Sequence, residues 1–211
     1  MRIGIIGSGS IGGTVGALWA RAGHAPLFSF SRRPERLAAL ARAVGGGARA
    51  GTPAQAAAFG EVVLLAPPWS VLDEALAAAG SLEGRIVIDA TNPFLPGAVG
   101  LALGEDDASA AEQIAARAPG ARVVKAYNTL PAAILAAGPG ATGGPALALF
   151  MCGDDDEAKR VVSGLIVDSG FAPIDTGQLG QAGDQEPEGR LFNQPLTEPE
   201  ARELLSAARA A

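Results

Sequence analysis

Apolar and polar positions along the chain fall into two alternating rhythms. Residues 2–6 form a short apolar run that Gly7 stops. Ile11, Val15, Leu18, Trp19 and Ala22 then recur at the three-and-four spacing of a helix with one buried face. Gly23 suits the turn that closes this helix. Residues 26–30 (Pro-Leu-Phe-Ser-Phe) read as a second strand. Pro34 opens a helix to about Val44 that Gly45-Gly46-Gly47 ends, and a short strand lies near 48–50. Thr52-Pro53-Ala54-Gln55 is a capping box with proline at the first helical position. A buried strand at 61–66, a helix at 70–79 and a strand at 85–89 follow. Residues 93–120 are poorer in pattern, with a helix at about 109–117. Strands at 122–126, 146–152 and 171–175, and a helix at 154–169, complete the alternation. The glycine-rich stretch 138–144 is read as flexible. Thr197-Glu198-Pro199-Glu200 is another capping box and opens a last helix to about Arg209. Residues 177–195 are loop-rich and show no assignable element. Strands alternating with helices predict an α/β fold with a doubly wound, mostly parallel sheet. With no repeat and no linker, residues 1–211 are read as a single domain.

The turn between the first strand and the first helix reads Gly7-Ser8-Gly9-Ser10-Ile11-Gly12. This is G-x-G-x-x-G in the strand–turn–helix context that gives the motif its meaning. Gly7 serves the tight turn, Gly9 lets backbone approach a pyrophosphate, and Gly12 lets the helix pack close to the sheet. The phosphates would meet the helix N-terminus, where free N–H groups and the helix dipole favour negative charge. The fold expected is therefore Rossmann-type, and the ligand a dinucleotide. The reader of its ribose should stand about 20 residues further on, at the end of the second strand. There the chain has Ser31-Arg32-Arg33 and no carboxylate. A carboxylate would accept the 2′-hydroxyl of NAD and repel a 2′-phosphate. Two guanidinium groups instead grip a phosphate. NADP(H) is the expected cofactor.

Composition narrows the picture further. Apolar residues make up 48% of the 211, enough for a full core. Formal net charge is -6, which argues against nucleic acid or an anionic membrane as a partner. One cysteine permits no disulfide within the chain and suits a reducing cytoplasm. No segment approaches a membrane span, and the N-terminal apolar run ends in the glycine turn, unlike a signal peptide. One histidine and one cysteine leave a His/Cys zinc site short of ligands. His24 follows Gly23, at the end of the sheet away from the nucleotide, and is read as a surface residue. Asp154, Asp155, Asp156 and Glu157 suit the first turn of a helix better than a metal.

Several blocks together resemble the NADPH-dependent coenzyme F420 reductases and their relatives. They are residues 3–12, Ser31-Arg32-Arg33, Leu-Leu-Ala-Pro-Pro-Trp at 64–69, Ile-Asp-Ala-Thr-Asn-Pro at 88–93, Lys-Ala-Tyr-Asn-Thr-Leu at 125–130, and 168–179. The resemblance runs in order over 1–180 and implies a Rossmann core of about 1–120 with a small C-terminal α/β extension of about 121–211. It also implies a homodimer and hydride transfer from NADPH to a flavin-like acceptor such as F420. After Leu179 the chain departs from the family's Ala-Arg and Leu-Glu, so another small acceptor (a flavin, a quinone or an imine) and a non-catalytic NADP(H)-binding regulator stand as alternatives. The cytoplasmic domain of membrane ferric reductases is a more distant resemblance.

Three blocks fall at strand ends, where open α/β sheets bind ligands. Ala66, Pro67 and Trp69 are expected to border the cofactor, with Trp69 either covering a ring or packing at a helix start. Asn92 and Pro93 are expected beside the nicotinamide, or as a simple turn. Tyr127, Asn128 and Thr129 are expected to meet the acceptor, Asn and Thr as neutral hydrogen-bonding groups. Lys125 suits either an anion or a strand-end surface. Hydride transfer between two cofactors needs little acid–base help, so the scarcity of histidine does not count against a reductase.

Overall fold

The computed structural model describes residues 1–31, 33–104, 107–138 and 144–209. Eight strands form one sheet in the order β3-β2-β1-β4-β5-β6-β7-β8. They are β1 (Arg2–Ile6), β2 (Ala25–Ser29), β3 (Arg49–Ala50), β4 (Val62–Leu65), β5 (Ile86–Asp89), β6 (Arg122–Ala126), β7 (Ala148–Gly153) and β8 (Ala172–Gly177). The chain winds outward from β1 to β3, then returns to β4 on the other side of β1. Ile5 accordingly pairs with Phe28 on one side and Leu64 on the other. That reversal is the switch point at which α/β sheets bind ligands. The strands are parallel through β6; β7 runs antiparallel to it, with Lys125 opposite Cys152, and β8 runs parallel to β7. The parallel part thus extends through Ala126, because β6 pairs in parallel with β5 from Arg122 onward.

The helices are α1 (Ser10–Arg21), α2 (Pro34–Val44), α3 (Pro53–Phe59), α4 (Leu72–Ala79), α5 (Ala110–Arg117), α6 (Ala132–Ala137), α7 (Asp156–Asp168) and α8 (Glu198–Arg209). One face of the sheet buries Ile3, Ile5, Val124 and Leu149 with Val15, Trp19 and Val162. The other buries Ile6, Val63 and Val87 with Ala56, Ala75 and Ile114. Pattern and caps explain the elements. In the predicted box, Thr52 accepts from the Gln55 N–H and Gln55 from the Thr52 N–H. Thr197 and Glu200 close the start of α8 similarly, with the Thr197 N–H donating to the Glu200 carboxylate at 2.8 Å. Asp155 accepts from the Glu157 and Ala158 N–H groups, so the acids at 154–157 start a helix. Among the described residues no cluster of His, Cys, Asp and Glu is arranged to hold a metal.

Two elements had no clear pattern. Helix α6 is Ala-Ala-Ile-Leu-Ala-Ala, too short and too uniform to show a polar face. Leu179–Gln185 is a 3₁₀ turn inside the stretch read as loop. The glycine-rich stretch at 138–144 falls mostly, at 139–143, outside the described residues. His24 is not a surface residue. It is 8% exposed, with Nδ1 3.2 Å from the Met1 amino group and Nε2 3.0 Å from Asp168. The chain start and the end of α7 close over it.

Candidate nucleotide and acceptor site

The turn after β1 is held by backbone. Gly7 sits at φ 102°, and its N–H donates to Ser29 at 3.1 Å. The Ser8 hydroxyl donates to the same carbonyl at 2.9 Å, and Ser29 in turn donates to Ile5 at 2.7 Å. A side chain at Gly7 would collide with the Ala66–Pro67 backbone, and one at Gly12 with the Gly7 carbonyl. Gly9 differs: nothing of the protein lies within 4 Å of where its Cβ would be. Its space is open and its surface exposed. No side chain caps α1, so its first N–H groups, which have no intrahelical partner, are free for an anion. Ser10 is exposed and Ile11 half-buried at this start. The turn therefore fits a pyrophosphate: glycine is required by protein contacts at Gly7 and Gly12 and leaves a vacant cradle at Gly9.

At the end of β2, Phe30 takes φ 55° and turns the chain outward. The Ser31 hydroxyl accepts from the Arg33 N–H at 3.1 Å, and Arg33 is exposed. Arg32 lies outside the described residues. The first carboxylate after β2 is Glu35, in the first turn of α2.

The carboxyl ends of β4, β5 and β6 are built from side chains. Ala66 is half-buried and Pro67 buried. Trp69 starts a 3₁₀ turn at Trp69–Val71, packs against the second core cluster, and carries the Arg117 guanidinium 5.5 Å from its ring centre. Asn92 donates to the Asn128 carbonyl at 3.0 Å, and Asn128 donates back to Asn92 Oδ1 at 3.1 Å and to the Gln185 carbonyl at 2.7 Å. Pro93 and Thr129 are buried beside them. Asn128 Oδ1, Thr129 Oγ1 and Gln185 Oε1 are buried without a protein partner. Tyr127 does not join this group through its side chain. Its backbone takes φ 64° and its ring turns into the core, edge-on to Trp19 at 5.4 Å. Its hydroxyl donates to Leu165 at 3.0 Å, and burial raises its pKa.

Lys125 is neither at the surface nor free for an anion. It is 0% exposed, and its ammonium donates to Asp89 Oδ2 at 2.8 Å and the Thr91 carbonyl at 2.7 Å. Glu186 Oε1 lies 3.3 Å away. Burial opposes the charge, but the two carboxylates outweigh it and hold the lysine pKa above its ordinary value. Asp89 Oδ1 accepts from the N–H and the hydroxyl of Thr91, both at 2.8 Å. Glu186 accepts from the Ala110 and Ala111 N–H groups at 2.9 and 3.1 Å, at the start of α5. Across from Lys125, burial pushes the Cys152 thiol up to about 12, leaving it unreactive at neutral pH. Nothing local in the sequence marks Gln185 or Glu186; only their return to the sheet reveals them.

Two adjoining cavities of about 430 Å³ each open between residues 93–112 and 180–189. Phe94, Leu101 and Leu103 supply apolar wall; Asp107, Glu112, Glu186 and Glu188 supply acid. No lysine or arginine is among their described lining residues.

The strand order and the glycine turn define a dinucleotide-binding protein of Rossmann type. Residues 2–93 match the family model described as NADP oxidoreductase, coenzyme F420-dependent. A hypothetical protein from Sinorhizobium meliloti has a similar structure, with TM-score 0.83 and 33% identity over 94% of this chain and 95% of that one. A protein described as a candidate F420-dependent NADP-reductase from Arthrobacter sp. FB24 superimposes with TM-score 0.73 at 26% identity, over 99% of this chain and 91% of that one. The metalloreductase STEAP3 of Rattus norvegicus is 30% identical over 185 residues, 88% of this chain; the chain spans 36% of that relative's length. Among the described residues no helix is long and apolar enough to cross a membrane.

Proposed function

We propose that this chain is an NADPH-dependent reductase that passes hydride to a planar, flavin-like acceptor of the F420 type, bound at the carboxyl ends of β5 and β6. The observation that carries the cofactor reading is the pairing of an open glycine cradle at Gly9 with a carboxylate-free end of β2 that offers Ser31 and Arg33. The free N–H groups of Ser10, Ile11 and Gly12 hold the pyrophosphate, and Arg32 and Arg33 the 2′-phosphate. Ala66, Pro67, Asn92 and Pro93 border the nicotinamide. Asn92 is half-buried and exchanges one of its two bonds with Asn128 for the carboxamide. Bound NADPH supplies the hydride, and the acceptor takes up its electron pair. The chain's own part is to align the two rings at about 3–3.5 Å and keep water out. Asn128 and Thr129 hold the acceptor side; Tyr127 shapes that side through its backbone only. The single buried cysteine and acidic charge suit a cytoplasmic setting, and the family resemblance a homodimer.

The acid-lined cavity favours a second reading of the acceptor. Among the described lining residues, Asp107, Glu112 and Glu188 have no ion-pair partner, and they repel a phosphate-bearing or carboxylate-bearing tail, whereas Glu186 is paired with Lys125. A neutral or cationic ring, such as a quinone or a protonated imine, meets no such repulsion. NADPH oxidation with F420, FMN, riboflavin, a benzoquinone and a cyclic imine separates the readings. Turnover with F420 supports the first. Turnover confined to uncharged or cationic acceptors supports the second. Tight NADPH binding with no turnover on any of them would make the chain a non-catalytic NADP(H) binder.

A further inference from the structure

Lys125 is a charged group in a place where an aliphatic side chain would ordinarily suffice. Its neighbours along β6, Val123, Val124 and Ala126, are buried and apolar. Moving charges into a protein interior costs several kcal/mol per ion, and such pairs are seldom a net gain over well-packed hydrophobic residues. Two carboxylates around one ammonium leave an excess negative charge. The start of α5 offsets it, because Glu186 takes the Ala110 and Ala111 N–H groups at the positive end of that helix. The partners of Lys125 come from two segments far apart in the chain. Asp89 and Thr91 end β5, whereas Glu186 follows the 3₁₀ turn and fixes the first turn of α5. Both lips of the cavity, residues 93–112 and 180–189, are therefore anchored to one ammonium group.

We propose that Lys125 is the positioning residue of the acceptor pocket: through Glu186 it fixes α5 and residues 186–189 at the distance an acceptor needs, without touching the acceptor. The role in acceptor binding rests on the reading of this cavity given above; the mechanical coupling does not. Removing the ammonium leaves Asp89 and Glu186 facing each other, and like charges drive the lips apart. Removing only the charge of Glu186 keeps Lys125 on Asp89 and loosens the start of α5 and residues 180–189. The glycine turn shares none of these partners and stays as it is.

The test is amide hydrogen exchange on the full chain with Lys125→Met and Glu186→Gln, alongside NADPH titration and steady-state turnover with riboflavin. Expected are exchange at least about tenfold faster at 108–112 and 180–189, unchanged exchange at 7–12, and NADPH affinity within about twofold of wild type. The riboflavin KM should rise at least about fivefold with a smaller change in kcat. If Lys125→Met does not fold, the near-isosteric Glu186→Gln decides alone. Exchange that is unchanged at 108–112, or that rises equally throughout the chain, overturns the coupling. Faster local exchange with an unchanged riboflavin KM overturns its role in acceptor binding. Should the wild type turn over no acceptor, the reductase reading fails while the exchange data still decide the coupling.

Discussion

The ends of β1 and β2 and the ends of β5 and β6 lie along the same edge of one sheet, yet they are made of different material. At the first pair the working atoms are backbone: a turn set by Gly7 and Gly12, free N–H groups at the start of α1, and an exposed Arg33 beyond Ser31. At the second they are side chains from segments far apart in the chain: Asn92 on Asn128, Asn128 on Gln185, and Lys125 among Asp89, Thr91 and Glu186. Backbone donors suit the feature common to all dinucleotides, the pyrophosphate. Of the side chains at the second pair, Glu186 lines the adjoining cavity, and the others lie behind it. The first pair is built mainly on one strand–turn–helix unit, braced by Ser29 and the Ala66–Pro67 backbone. The second depends on a distant segment folding back correctly.

The difference predicts separable damage. The largest effect is expected from Gly12→Val. Its side chain meets the Gly7 carbonyl and Ile5 and pushes α1 off β1. NADPH binding should weaken by about a hundredfold, in line with a few kcal/mol of overpacking, while exchange at 180–189 stays as in wild type. Equal disruption at both ends would erase the distinction. Next comes Arg32→Ala with Arg33→Ala. Charge-assisted bonds of about 1.5–3 kcal/mol each predict NADPH binding at least about tenfold weaker, with NADH changed by less than about threefold. Isothermal titration with both nucleotides measures this. Tyr127→Phe sharpens the account of the acceptor end. Loss of its bond to Leu165 should lower stability by about 1 kcal/mol, seen in urea unfolding, and leave both NADPH affinity and acceptor KM unaltered. A changed KM would return the tyrosine to the acceptor side.

The smallest effect concerns β6 at its opposite end. The Arg122 guanidinium, bonded to Asp155 at 2.6 and 2.8 Å, holds that carboxyl well below the usual range, helped by the Ala158 N–H. A depressed carboxyl pKa contributes stability above the unfolded value of about 4 and loses it as pH falls below that. Asp155→Asn should therefore lower the melting temperature at pH 7. It should also flatten the fall in stability between about pH 5 and pH 2, with nucleotide binding unaffected.

The nucleotide end was legible because its causes are local. The glycine spacing, the helical period of Ile11 to Ala22 and the box at Thr52–Gln55 each act within a few residues, and the structure carries all three. At the ends of β5 and β6 the same local reading placed Asn92, Asn128 and Thr129 just beyond the strands but not what surrounds them. Lys125 looked like a strand-end lysine because Asp89 and Glu186 stand 36 and 61 positions away in the chain. Tyr127 looked like a pocket residue because its position at a strand end was visible, whereas the left-handed backbone that turns its ring inward was not. His24 was read as exposed for the same reason: Asp168, 144 positions on, meets it only through the fold. Residues 177–195 carry few apolar positions at any regular spacing, so their 3₁₀ turn and the carboxylate on α5 follow from tertiary contacts alone.

The claim on which the account turns is that the open cradle and the carboxylate-free end of β2 select NADP(H). Titration of the intact chain with NADPH and with NADH under identical salt and pH tests it most directly. The account predicts NADPH bound at least about tenfold more tightly, as one or two phosphate–guanidinium contacts require; equal affinities, or a preference for NADH, would contradict it.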